Sequence, residues 1–211
     1  MLTLKTIAGQ SLPAPLMTAS RRRFLSGLGT ASLSASAVAL LAGCESMAAG
    51  GDKQMADSAM MTKEDVSILN IALGLEHQAI GAYQLGAESG LLQKPVLGTA
   101  VLFQSQHKSH RDTLASTIVK LGGKPVESDS LADYAKQLDA AKLKNQSDVL
   151  KLALELEGGA ANAYIGVIPS FHNGDLAKVA GRLAADEVMH WTVLQQALQQ
   201  PLPTGALTFG A

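Results

Sequence analysis

Four segments of the chain carry apolar residues at alternating spacings of three and four, the period of one helix face. The first runs Val66, Leu69, Leu73, Glu76, Ile80, Tyr83 and Ala87, behind Thr62 and the early acids Glu64 and Asp65, which read as a helix start. The second runs Val96, Ala100, Phe103, His107, His110, Leu114 and Ile118, and Gly122-Gly123 stops it. The third, opened by Ser147-Asp148, runs Leu150, Leu154, Glu157, Ala161, Tyr164 and Ile168. The fourth, opened by Asp175, runs Leu176, Ala180, Leu183, Glu187, His190, Leu194 and Leu198, and Pro201 and Pro203 end it. Ser89-Gly90 with Pro95, and Pro169 to Gly174, mark short turns. A longer connection, Gly122 to Gln146, holds a short helix around Leu131–Leu138.

The segments repeat in pairs. Glu76 to Tyr83 reads E-H-Q-A-I-G-A-Y and Glu157 to Tyr164 reads E-G-G-A-A-N-A-Y, an offset of 81; His110 and Leu114 map onto His190 and Leu194 at an offset of 80. A duplicated helical hairpin explains this pattern. The predicted fold is all-α: two antiparallel hairpins joined by a long crossover into a four-helix bundle, over residues 62–200.

Each stripe is interrupted near its middle by ionisable residues. The first supplies Glu76, the second His107 and His110, the third Glu157, and the fourth Glu187 and His190. A spacing of three puts both members of a pair on one helix face. A buried, unpaired carboxylate is very costly, and no Lys or Arg lies on the stripes to offset three of them. Taken singly, each residue reads as a satisfied core or seam residue. Six at one level of four helices point to bound metal.

At these positions the chain resembles the ferritin-like superfamily, and more narrowly the exported ferritin-like domain proteins of bacteria. The resemblance implies a site for two iron or manganese ions, held by one Glu from each of two helices and Glu-x-x-His from each of the other two. Glu76, Glu157, Glu187, His190 and His110 fit that pattern. His107 departs from it, standing where the family has a metal-bridging Glu; a neutral imidazole does not bridge as a carboxylate does, so a single-metal or asymmetric site stays open beside the two-metal one. The resemblance also implies that Asp186 accepts a hydrogen bond from His110, with Gln106 as its duplicate toward His190. Tyr83 and Tyr164, two turns beyond Glu76 and Glu157, are candidates to donate to the ligands, with packing as the plainer reading. Trp191 reads as packing. His77, His172 and Glu155 lie off the stripes and receive no role.

Composition adds the compartment. Of the chain's 211 residues, 1–43 contain Lys5, Arg21, Arg22 and Arg23 and no acid, which leaves 13 bases against 18 acids in the rest. Ser20-Arg21-Arg22-Arg23-Phe24-Leu25 resembles a twin-arginine export signal, with Met17 an alternative start. A weakly apolar stretch then ends in Leu41-Ala42-Gly43-Cys44, similar to a lipoprotein box in which the Cys44 sulfur is acylated. These features predict a signal peptide over 1–43, a flexible tether over 44–61 and a tail over 201–211, in an envelope or periplasmic protein anchored to a membrane through Cys44. The tether holds Met47, Met55, Met60 and Met61, which read as a solvated linker rather than a soft-metal site. One cysteine excludes an intramolecular disulfide and a Cys-rich zinc site. A net charge of −1 gives no basic footprint for nucleic acid. Gly27-Leu28-Gly29 lies inside the export signal and is no phosphate loop.

The expected function is a metal-dependent oxidoreductase, ferroxidase-like or peroxidase- or catalase-like, acting on Fe²⁺, O₂ or peroxide in an envelope stress role. Non-catalytic metal binding and a structural bundle with a vestigial site are the alternatives. A homodimer is compatible with such a bundle.

Overall fold

The computed structural model describes residues 50–210, and these are helical with no β-strand among them. The five helices are α1 (Gly50–Glu88), α2 (Lys94–Lys120), α3 (Leu131–Gln137), α4 (Gln146–Val167) and α5 (Gly174–Ala197). Two short 3₁₀ turns, Ala140–Lys142 and Ile168–Ser170, precede and follow α4. The helices α1 and α2 form one hairpin and α4 and α5 the other. Contacts between α1 and α4 join the hairpins, and α3 packs on α1. This is the predicted bundle with its crossover.

Local chemistry sets the helix ends. Asn145 and Asn173 cap α4 and α5, their side-chain oxygens accepting from the amides of Asp148 at 3.0 Å and Asp175 at 2.8 Å. Both helices therefore begin slightly before the predicted Ser147 and Asp175. Pro95 sits in the first turn of α2, where its missing N–H costs nothing. Gly122 closes α2 at φ 78°, a left-handed conformation that favours glycine.

The largest departure is at the amino end. Helix α1 begins at Gly50, so residues 50–61 of the predicted tether are helical; the rest of the tether, the signal peptide and Cys44 lie outside the described residues. Thr62 is no cap: its hydroxyl donates to the Ser58 carbonyl at 2.9 Å, one turn back inside the helix. The extension has no apolar stripe, and among the described residues no other helix packs on it; Met55, Met60 and Met61 are exposed.

The stripes face inward as predicted. Below the ionisable level, Leu69, Leu73, Leu114, Ile118, Leu176 and Leu183 form one apolar cluster. Above it, Tyr83, Phe103, Leu150 and Leu194 form another. Each large apolar side chain so buried contributes about 1.5–3 kcal/mol. The crossover is fixed to α1 by Asn70, which donates to the Lys124 carbonyl at 3.1 Å and accepts from the Val126 amide at 2.8 Å. His77 also reaches the Val126 carbonyl, at 3.2 Å. The Tyr134 ring lies over Gly81, where a Cβ would come within 2.5 Å of it. At the other end Asp65, buried, accepts from the amides of His172 and Asn173. His77 and His172 thus tie loops to α1. The predicted tail also docks: Phe209 meets Trp191 edge-on at 5.1 Å, and the Gly210 amide donates to Asn162 at 2.7 Å.

Candidate metal centre

All six predicted ligands converge between the two apolar clusters. Glu76, His107, Glu157, Glu187 and His190 are buried at 0–1% exposure and His110 at 7%. Two sets of four donors form. Glu76, His107, His110 and Glu187 make one; His107, Glu157, Glu187 and His190 make the other, with the donor atoms of each set within 4.8 Å of one another. His107 and Glu187 belong to both. They occupy equivalent positions in the two hairpins, at the offset of 80 read from sequence, so the duplication produces a near-twofold centre with unlike residues on its axis.

His107 lies between two carboxylates. Its Nδ1–H donates to Glu76 Oε2 at 2.8 Å and its Nε2–H to Glu157 Oε1 at 3.1 Å. Burial alone would lower its pKa; these two hydrogen bonds outweigh that and push it up to about 10. His110 follows the same balance, with Glu187 and Glu76 lifting it to about 10. For Glu76, burial raises the pKa, but the hydrogen bond from His107 and the charge of the adjacent His110 ring prevail, holding it below the ordinary value. Glu157 is likewise held low by His107 and His190 against the effect of burial. Glu187 goes the other way: burial raises it and the Glu157 carboxylate adds to the rise.

Three carboxylates brought together without a cation would by repulsion alone each be raised in pKa; here only Glu187 is raised, because the neighbouring histidines hold Glu76 and Glu157 low.

The tyrosines and the outer partners complete the shell. Tyr83 OH donates to Glu157 Oε1 and Tyr164 OH to Glu76 Oε1, and both phenols are pushed well above their usual pKa by burial and by the adjacent carboxylates. Asp186 Oδ2 accepts from His110 Nε2–H at 3.2 Å, and Gln106 Oε1 from His190 Nε2–H at 2.7 Å. Fixing Nε2 leaves the Nδ1 of each ring facing the carboxylates, 3.3 Å from Glu187 Oε1 for His110 and 3.3 Å from Glu157 Oε2 for His190. Sequence reasoning passed over Phe103 as an apolar stripe member; its ring stacks on His190 at 4.0 Å between centroids.

The donor set fits a metal cation. Both Glu187 oxygens and His110 Nδ1 are buried yet lack a hydrogen-bond partner, an expensive arrangement that a bound cation relieves. Carboxylate and imidazole are both common ligands of divalent metal ions. A small cavity of about 250 Å³ reaches His107 and Glu157 along the α1–α4 seam, past Gln78, Ala79 and Ala160.

The family model for the ferritin-like domain matches residues 64–200, more than half of the chain. Among solved structures, a conserved hypothetical protein from Mycobacterium tuberculosis superposes with a TM-score of 0.59 at 21% identity, covering 70% of this chain and 99% of that one. At that identity the likeness shows the fold alone. Comparison with curated proteins finds no significant match.

Proposed function

The chain belongs to the ferritin-like domain family, and from that premise we propose that it is an exported metal protein whose buried centre serves oxidation of Fe²⁺, or reduction or disproportionation of peroxide, in an envelope stress role. The observation that carries this reading is the Glu187 carboxylate, buried at the midpoint of both donor sets with neither oxygen satisfied. Glu76 and His110 would hold one ion, Glu157 and His190 a second, with Glu187 between them. Bound iron or manganese would supply the electron transfer that O₂ or peroxide chemistry requires.

The chain's own residues do the rest. Asp186 and Gln106 set which imidazole nitrogen faces inward. Tyr83 and Tyr164 each hold one oxygen of Glu157 and Glu76, and the other oxygen of each carboxylate faces a histidine, His190 and His107 respectively. The apolar clusters above and below keep bulk water out, which strengthens every charge interaction inside. A second reading, with one ion or none, rests on His107: its ring already links Glu76 to Glu157 where the family places a bridging carboxylate.

The Arg21-Arg22-Arg23 signal and Cys44 support export and lipid anchoring. No described helix is long and apolar enough to cross a membrane. Fe²⁺-dependent oxygen uptake and peroxide decay by purified protein separate catalysis from storage; neither activity in metal-loaded protein refutes the oxidoreductase reading. Mass spectrometry of the native amino terminus tests the anchor, and an unmodified Cys44 refutes it.

A further inference from the structure

A second cavity, of about 690 Å³, lies in the upper half of the bundle and is lined from all four long helices. No charged side chain lines it. Its two hydroxyls are engaged: Thr99 with the Pro95 carbonyl at 3.3 Å, and Tyr83 with Glu157. A polar ligand would find no partner here, and water would find too few, since a water needs two to four.

At the offset of 80, Val96 lines this cavity where the other half has buried Leu176.

The inner end of the cavity is the wall of the metal centre. Tyr83 and Phe103 line it. On their far sides Phe103 stacks on His190 at 4.0 Å, and Tyr83 lies 5.4 Å from the His107 ring and donates to Glu157. Leu92 and the part-exposed Val193 also line the cavity.

We infer that this cavity is a binding site for an uncharged apolar molecule, seated one aromatic ring away from the metal centre. The inference rests on the metal reading only for what lies behind that wall; the cavity itself is a property of the chain without metal. Tyr83 and Phe103 are then the contacts through which an occupant is felt at the centre.

The test uses the purified mature protein with toluene as the probe, measured by ligand-observed NMR and calorimetry with and without metal. Saturable binding of about one toluene per chain is expected in both forms. Ala100→Leu and Ala153→Leu, each filling the cavity from a different helix, should weaken it about tenfold or more while helical content and metal per chain hold. Toluene should also shift the visible spectrum of the Co²⁺-loaded wild type. Absence of saturable binding to folded wild type, or undiminished binding to the folded filled variants, overturns the site. Should neither variant fold, xenon binding to wild type decides: xenon inside the cavity supports it and xenon excluded overturns it. An unchanged Co²⁺ spectrum at toluene saturation overturns the contact with the centre. Toluene binding in a protein that takes up no metal leaves the cavity standing and refutes the metal reading instead.

Discussion

Tyr83 donates its hydroxyl not to the carboxylate of its own helix but to Glu157 of the other hairpin. Tyr164 returns the bond to Glu76. Each Tyr stands seven residues, two turns, beyond its own Glu. In antiparallel helices that displacement carries it to the level of the opposite one. The crossed pair therefore locks the register of α1 against α4 at the height of the metal centre, where the two hairpins must agree for a four-helix site to exist. The His110–Asp186 and His190–Gln106 bonds do the same for α2 and α5.

Tyr164→Phe should destabilise the metal-free protein by about 1–3 kcal/mol, because it strands the buried Glu76 Oε1, and Tyr83→Phe by less, because Glu157 Oε1 keeps its bond from His107. Urea unfolding in chelator measures this. Wild-type stability in both variants would mean that the bonds contribute nothing to register.

Stability of the metal-free protein should fall as pH rises from about 6.5 toward 10. His107 and His110 bind protons more tightly folded, up to about 10, than unfolded, near 6.5, so their contribution is complete below 6.5 and is lost on passing 10. Glu76 and Glu157, held low, contribute above their unfolded value and lose that contribution as pH falls below it. Glu187, raised, opposes them in part. Melting temperature against pH in chelator should show the maximum on the acid side of neutrality.

His107→Glu puts a third carboxylate between Glu76 and Glu157, where the ring now sits 2.8 and 3.1 Å from them. The metal-free variant should melt below wild type, and metal should more than restore it, with the count rising toward two ions per chain. Calorimetric titration with Mn²⁺ reads the stoichiometry; an unchanged count would show that His107 does not limit it.

Asp186→Ala and Gln106→Ala should weaken metal binding about 10–100-fold by freeing the ring of His110 or His190. Asp186 is half exposed, so its loss costs the fold little. Titration with Co²⁺ separates the effect from unfolding, and unchanged affinity in both variants would reduce the two side chains to bystanders.

Much of this centre was legible from spacing. Glu76, His107, His110, Glu157, Glu187 and His190 interrupt otherwise apolar stripes, and a 3.6-residue period leaves them nowhere to point but inward. What the period does not carry is partnership across helices. Glu76 and Tyr83 share a face, but which carboxylate Tyr83 bonds depends on hairpin register. The helix over 50–61 carries no apolar stripe, and its described residues 55–61 are exposed. Phe209 gave no periodic signal because a single aromatic residue holds the tail to Trp191. The cavity of the upper half gave no signal in the period, because its lining residues read as ordinary apolar stripe positions.

The central claim is that the Glu187-centred site binds metal. The most direct measurement is metal per chain, by elemental mass spectrometry, on wild type and Glu187→Ala purified through the chain's own export route, with melting temperatures taken with and without Fe²⁺ or Mn²⁺. We predict about one to two iron or manganese ions per wild-type chain with a metal-dependent rise in melting temperature, and neither in Glu187→Ala, which should remain folded. A wild type that carries no metal and melts at the same temperature with or without these ions would contradict the account and leave a structural bundle.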